Sequence, residues 1–156
     1  MFVGNGFDIH KHHPERKLFL GGLSFAGDGF IAHSDGDIIL HSLLDALLGA
    51  LGKKDLGYYF PSDISTPKNI KSSEMLKKVL EIIEYEKYSI RNIDITVLSE
   101  SINISSKREL IEKNIAGLLN IDDSKINLKG KSFDGMGLIG TSVASASFTT
   151  ILVENA

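Results

Sequence analysis

The sequence predicts an α+β fold of two layers, a mixed β-sheet covered on one face by helices, in a single domain spanning residues 1–156. Three observations predict it. Segments such as Asn92–Leu98 alternate along the chain and are rich in β-branched residues, the pattern of half-buried strands. Apolar stretches with helical spacing run between them, above all Ile38–Leu51. The element order, β-β-α-α-β-α-β-β, separates strands by helices, and such crossovers require part of the sheet to be parallel. A chain of 156 residues can bury a sizeable core as one domain.

Taken in order, residues 2–10 read as a strand entered through Gly4 and Gly6, whose missing Cβ suits a strand end bordering a ligand. His12, His13 and Pro14 begin a polar loop, and Lys17–Leu20, Gly21-Gly22 and Leu23–Phe25 read as a hairpin or bent strand. Ser34 is the expected N-cap of the next helix, with Asp37 in a near capping box and both Asp35 and Asp37 at the helix's positive end. Ile38, Leu40, Leu43, Leu44, Leu47, Leu48 and Leu51 lie almost all round that helix, so it is expected to be buried. His41 and Asp45 share one of its faces, and Asp45 accepts either an imidazole N–H or an ordinary helix contact.

Lys53–Gly57 ends the helix, and the segment through Pro67 has no periodicity, as expected of a functional loop or lid. Ser72 or Ser73 caps a helix running to about Tyr85, with Met75, Val79, Ile82 and Ile83 inward. Ser106–Glu109 forms a capping box for a helix ending near Asn120. Ile126–Ser132 is a strand, Gly135, Gly137 and Gly140 make a turn, and Val143–Val153 is the last strand. Its small residues Ala144, Ser145, Ala146 and Ser147 read either as a surface for close approach of a neighbouring subunit or as a solvated edge.

Composition narrows the function. Net charge of −3 gives no general attraction to nucleic acid or anionic membrane, and neither partner is expected. With no cysteine there is no disulfide framework, thiolate metal site or cysteine nucleophile. The opening MFVGNGFDIH lacks the regions of a signal peptide, and no apolar run approaches transmembrane length, so a cytoplasmic location is expected.

Two stretches carry the chemistry. In Gly4–His10, Asp8 and His10 are two apart on a strand and so share one face. In His33–His41, the chain runs into the long helix that carries His41. Two imidazoles and a carboxylate are three ligands of the kind Zn²⁺ takes, leaving a fourth tetrahedral position open as at catalytic sites. His33 sits where a helix N-terminus can present N–H groups to an anion, or makes an ordinary loop contact. Asp134, after Lys131 and Ser132, is either a turn residue or a carboxylate able to hold Mg²⁺ against phosphate oxygens. No nucleophile elbow or P-loop is present.

GNGFDIH, HSDGDIILHSLLDALLGALG and KDLGYYFPSD resemble, in order and with little shift in spacing, the signature blocks of the 2-C-methyl-D-erythritol 2,4-cyclodiphosphate synthase family. That resemblance implies a homotrimer with active sites between adjacent subunits. The implied reaction belongs to the MEP route of isoprenoid-precursor biosynthesis: 4-diphosphocytidyl-2-C-methyl-D-erythritol 2-phosphate closes on itself and releases CMP. It implies Zn²⁺ on Asp8, His10 and His41, and Mg²⁺ or Mn²⁺ on Asp134. Transition-state stabilisation falls to His33 and Ser132. Ser34, Asp55, Leu56, Gly57, Phe60, Pro61, Ser62, Asp63 and Ile64 match contacts to the erythritol and phosphate portion. Ser99, Glu100, Ser101, Ile102, Asn103, Ile104, Ser105, Lys131, Ser132, Phe133 and Asp134 match the nucleotide-binding stretches.

There are departures from the family pattern. Ser101–Ile104 lacks the usual Pro-Lys and with it a cation near the nucleotide. Thr141-Ser142-Val143 lacks the Arg and Glu that line a central cavity in many relatives, so regulation by a bound isoprenoid is not expected. The alternatives are a zinc-dependent phosphoesterase acting on a nucleotide derivative and a non-catalytic, zinc-stabilised trimeric binding module.

Overall fold

The computed structural model describes residues 1–156. Strands β1 (Phe2–Leu20) and β2 (Leu23–Phe30) form a hairpin, followed by α1 (Ile38–Ala50), α2 (Leu56–Tyr59) and α3 (Ser72–Ile82). Then come β3 (Tyr88–Leu98), α4 (Arg108–Leu119), β4 (Ile126–Lys131), α5 (Gly137–Gly140) and β5 (Ala144–Asn155). The five strands make one mixed sheet in the order β2-β1-β5-β3-β4. Only β3 and β4, joined across α4, are parallel.

The helix α1 is the centre of the core, with Ile38, Ile39, Leu40, Leu43, Leu44, Leu47 and Leu48 all buried. It lies unusually close to β1. A Cβ on Gly4 would stand 2.0 Å from the Ala46 carbonyl oxygen, and one on Gly6 would stand 1.9 Å from that of Ser42. The two glycines therefore border a helix backbone, and not the ligand that the sequence reading expected there. Ser42 completes the seam, its hydroxyl 2.8 Å from both Ser147 Oγ and Thr149 Oγ1. On the opposite face of the sheet Phe7, Ile9 and Phe148 are 52%, 42% and 43% exposed.

Several elements differ from expectation. β1 does not give way to a loop at His12: its pairing with β2 continues to Leu20 through register shifts between His13 and Leu18. Pro14 falls in that irregular stretch, where a residue without an N–H is tolerated. Asp37, not Ser34, caps α1, accepting from Leu40 N at 3.0 Å. The same carboxylate accepts from Gly21 N and Gly22 N at 2.9 and 2.6 Å, tying the hairpin turn to the helix start.

Neither α3 nor α4 has a side-chain N-cap; Lys71 and Lys107 occupy those positions. The α3 helix stops at Ile82 because Glu84 turns left-handed, with φ of 51°. β5 is a central strand, so its small residues are not a solvated edge. Ser145 and Ser147 are buried and hydrogen-bonded under the helix layer, while Ala144 and Ala146 pack with Ile139. No helix is long and apolar enough to cross a membrane.

Adding one methyl at Gly6 forces backbone apart, and Gly6→Ala is expected to destabilise by about 3 kcal/mol or more in denaturant unfolding. Gly117 sits inside α4 with open space around its Cβ position. Gly117→Ala is expected to stabilise by up to about 1 kcal/mol in the same measurement.

Candidate metal centre and substrate site

Asp8 and His10 follow Gly4 and Gly6 along the same face of β1, so the close seam with α1 delivers both to the start of the helix. There they meet His41. Asp8 Oδ2 lies 3.1 Å from His10 Nε2 and 3.1 Å from His41 Nδ1, and the two nitrogens are 3.3 Å apart. Bonds of about 2.0–2.1 Å to a tetrahedral cation would put such atoms about 3.3 Å from one another. The triangle therefore fits a small divalent ion, and these three residues are a group that could hold one.

The electrostatics agree with that geometry. Burial works to raise the Asp8 carboxyl, but hydrogen bonds and charge from His10 and His41 outweigh it and bring its pKa down to about 2. Burial likewise opposes charge on His41, yet the Asp8 hydrogen bond and the negative charges of Asp8, Asp37 and Asp35 push its pKa up. Two protonatable imidazoles crowd one carboxylate, and a divalent cation would replace that proton-mediated attraction directly. Asp45 takes no part in orienting His41: its carboxylate accepts from Leu56 N at 2.6 Å. The outer nitrogen of His41 instead meets Ser34 Oγ at 3.1 Å and Ser72 Oγ at 3.0 Å.

A cavity of about 230 Å³ opens beside the three ligands. Of the expected residues, His33, Ser34, Leu56, Gly57, Phe60 and Ser62 line it, joined by Thr66, Ile70 and Met75 from the following loop and α3. Asp55, Pro61, Asp63 and Ile64 do not. Asp55 caps α2 through Tyr58 N, Asp63 accepts from the backbone and hydroxyl of Ser65, and Ile64 is fully exposed. Ser62 rather than Asp63 thus faces the cavity. His33 donates from Nε2 to the Thr66 carbonyl at 2.8 Å, which fixes its ring against the loop. Ser34 is buried behind His41.

The expected nucleotide stretches gather elsewhere, beyond the ends of β3 and β4. Ser99 N donates to Lys131 O at 3.0 Å and Phe133 N donates to Glu100 at 3.1 Å, so the two stretches form one unit. Ser99 and Ile104 are buried in it, while Ser105, Lys131, Ser132, Phe133 and Asp134 are exposed. Ser101, Ile102 and Asn103 line a separate cavity of about 340 Å³ with His12, Asp28 and Lys107. Neither stretch lines the cavity at the metal centre. Within one chain the structure does not bring Ser132 or Asp134 to His33. Lys107 and Ser72 read in the sequence only as parts of helix starts; their contacts are with distant segments and leave no local pattern.

Acidification of the metal-free protein tests the Asp8 environment. A carboxyl depressed from 3.8 to about 2 contributes stability above pH 4 that disappears as the pH falls through 2. The loss corresponds to about 2 kcal/mol. Asp8→Asn is expected to remove that part of the acid dependence in urea unfolding between pH 4 and 2.

Comparison with known proteins follows the same lines as the geometry. The YgbB family model matches residues 1–154. The 2-C-methyl-D-erythritol 2,4-cyclodiphosphate synthase of Petrotoga mobilis is 41% identical over 97% of this chain and 96% of its own. The Treponema denticola protein of that name is 40% identical over 98% and 96%. Among solved structures, the CDP complex of Plasmodium falciparum IspF superposes with a TM-score of 0.87 at 39% identity, covering 99% of this chain and 96% of that one. The bifunctional IspDF of Campylobacter jejuni gives a TM-score of 0.93 at 35% identity; this chain is covered to 99% and spans 42% of that longer protein. A full-length family match, relatives that share one synthase name and a shared fold lead to one conclusion: the chain belongs to the YgbB family of 2-C-methyl-D-erythritol 2,4-cyclodiphosphate synthases.

Proposed function

We propose that the chain cyclises 4-diphosphocytidyl-2-C-methyl-D-erythritol 2-phosphate. An oxygen of the 2-phosphate attacks the β-phosphorus, the bond from that atom to the bridging oxygen breaks, and CMP leaves with the electron pair. The observation that carries this reading is the triangle of Asp8, His10 and His41 beside a small cavity. Two imidazoles and a carboxylate suit zinc. When bound there, zinc supplies Lewis acidity and positive charge to a phosphate oxygen. The remaining work is positioning, because the substrate carries its own nucleophile and leaving group. Asp8, His10 and His41 orient the phosphate end, Phe60 and Met75 close the cavity, and His33, steadied by Thr66, faces the same space.

Pockets that enclose a whole drug-sized ligand begin near about 300 Å³. A cavity of about 230 Å³ takes the phosphorylated erythritol and leaves the cytidine outside. The nucleotide unit at Ser99–Ser105 and Lys131–Asp134 then serves the neighbouring subunit's cavity, with Ser132 and Asp134 reaching the diphosphate across the interface. Asp134 is exposed there and is the proposed ligand of Mg²⁺ or Mn²⁺. A homotrimer built on the sheet face that carries Phe7, Ile9 and Phe148 would supply that arrangement and cover those exposed side chains. Lys107, lining the cavity beside Ser101–Asn103, offers a cation near the stretch that lacks the usual lysine.

The phosphoesterase alternative finds no support in the relatives, each of which is named as the synthase. Turnover in ¹⁸O-labelled water separates the two: cyclisation is expected to yield CMP and a cyclic diphosphate free of label, and labelled product would refute it. His41→Ala is expected to abolish bound zinc and turnover while circular dichroism shows the fold retained; full activity without zinc would overturn the assignment. Asp134→Ala is expected to keep the zinc but weaken the response of turnover to Mg²⁺ or Mn²⁺ in a divalent-ion titration.

A further inference from the structure

The outer nitrogen of His41 is held by a chain of hydrogen bonds that leads away from the metal centre into the adjacent loop. Nε2 lies 3.0 Å from Ser72 Oγ. The Ser72 hydroxyl donates to Asp35, and an ionised carboxylate only accepts. The single hydroxyl proton of Ser72 is thereby committed, and its oxygen faces His41 as an acceptor. Ser34 Oγ, 3.1 Å from the same nitrogen, already accepts from Gly36 N at 3.1 Å. Nε2–H is therefore held by the Ser72 oxygen, so the proton a bound cation displaces is the one on Nδ1, and the freed Nδ1 lone pair points at the space between Asp8 and His10.

The residues that set this tautomer also close the segment 60–71. Asp35 accepts from Ser72 N at 2.9 Å and from Asp37 N at 3.2 Å. Asp35 N donates to Ile70 O at 3.0 Å, and Asn69 N donates to His33 O at 2.7 Å. Arg16 adds two bonds, to Asn69 Oδ1 at 3.0 Å and to Ser34 O at 2.6 Å. Residues 33–37 and 69–72 are thus zipped together, and the last tooth of the zipper is the hydroxyl that receives the His41 proton.

We propose that Ser72 and Asp35 are positioning residues: their hydrogen-bond chain fixes the His41 tautomer that binds the cation, and it couples cation affinity to closure of the 60–71 segment over the cavity. The inference rests on the metal reading above and extends it to a residue pair outside the ligand set. Because coupling between two sites is reciprocal, a cation that favours the zipped arrangement must also stabilise the loop that maintains it. The loop is the segment expected to admit substrate, so opening it would loosen the grip on the metal.

Zinc competition against a chromogenic chelator, using the full chain, tests the first half. Ser72→Ala and Asp35→Asn are each expected to weaken zinc binding about 10- to 100-fold. Ser73→Ala, a neighbouring hydroxyl with no part in the chain, is expected to leave it unchanged. Two-bond ¹H–¹⁵N spectra of the zinc-loaded chain are expected to show His41 protonated on Nε2. Hydrogen exchange tests the second half: zinc is expected to slow the amides of Asp35 and Asn69 in the parent chain and to have little effect on them in Ser72→Ala. Circular dichroism of each variant separates loss of the chain from loss of the fold, and Asp35→Asn stands in if Ser72→Ala does not fold. Affinity within twofold of the parent in both variants, or a proton on Nδ1, would overturn the proposal. Failure of the parent chain itself to bind zinc would instead overturn the metal reading.

Discussion

The structure depends on the near contact between the backbone of β1 and the backbone of α1. Gly4 and Gly6 on the strand meet Ala46, Ala50 and Ser42 on the helix at distances that leave no room for a Cβ. One step of two residues along the strand reaches Asp8, and the facing step along the helix reaches His41. A larger spacing between strand and helix would keep the apolar core but pull the imidazole away from the carboxylate. The glycines therefore act on the metal centre indirectly, by setting how far apart its two supporting elements lie. Their conformational entropy in the unfolded chain is the cost of that proximity.

Around the seam, buried polar groups do the aligning, and every buried side-chain polar atom finds a partner. Asp37 is the most consequential of them. Full burial and the charge of Asp35 push its carboxyl up, against the pull of backbone N–H groups from Leu40, Gly22 and Gly21. Those same bonds join the Gly21-Gly22 turn to the start of α1, four residues before His41. The hydroxyls of Ser42, Ser147 and Thr149 cross the seam further along. A partly satisfied network in this position would be worse than an apolar one, because low dielectric magnifies an unpaired group. Fully satisfied, it holds α1 in a single register over the sheet, and the position of His41 follows from that register.

The two halves of the proposed site lie on opposite sides of β5. The metal ligands belong to β1 and α1, and the nucleotide stretches extend from β3 and β4, with β5 between β1 and β3. That separation leaves the nucleotide stretches out of the cavity beside Asp8, His10 and His41. It also gives the exposed apolar face of the sheet a purpose within the proposed trimer, since one contact would both cover Phe7, Ile9 and Phe148 and bring a nucleotide unit to a metal centre.

By itself the sequence determined the layered fold, the buried α1 helix and the three residues of the candidate metal group, because each is written in a local period or a short motif. Alternation places Asp8 and His10 on one face, and apolar residues on every side of Ile38–Leu51 leave His41 few directions to point. What it left ambiguous was any residue whose partner lies far along the chain. Ser34 read as the cap of α1 and Asp37 as its capping-box partner, but Asp37 accepts from Leu40 N and is held there by the Gly21-Gly22 turn. Ser72 resembled a helix start, and its contacts with Asp35 and His41 span 37 and 31 residues. Asp45 sat on the right face of the helix but met Leu56 N instead of an imidazole. The small residues of β5 also read as a solvated edge until the sheet order made β5 a central strand, with Ser145 and Ser147 on the α1 side and Ala144 and Ala146 against Ile139. Tertiary structure decided these cases for one physical reason: a hydrogen bond or a close packing contact is fixed by which backbones come together in space, and local periodicity carries no record of that.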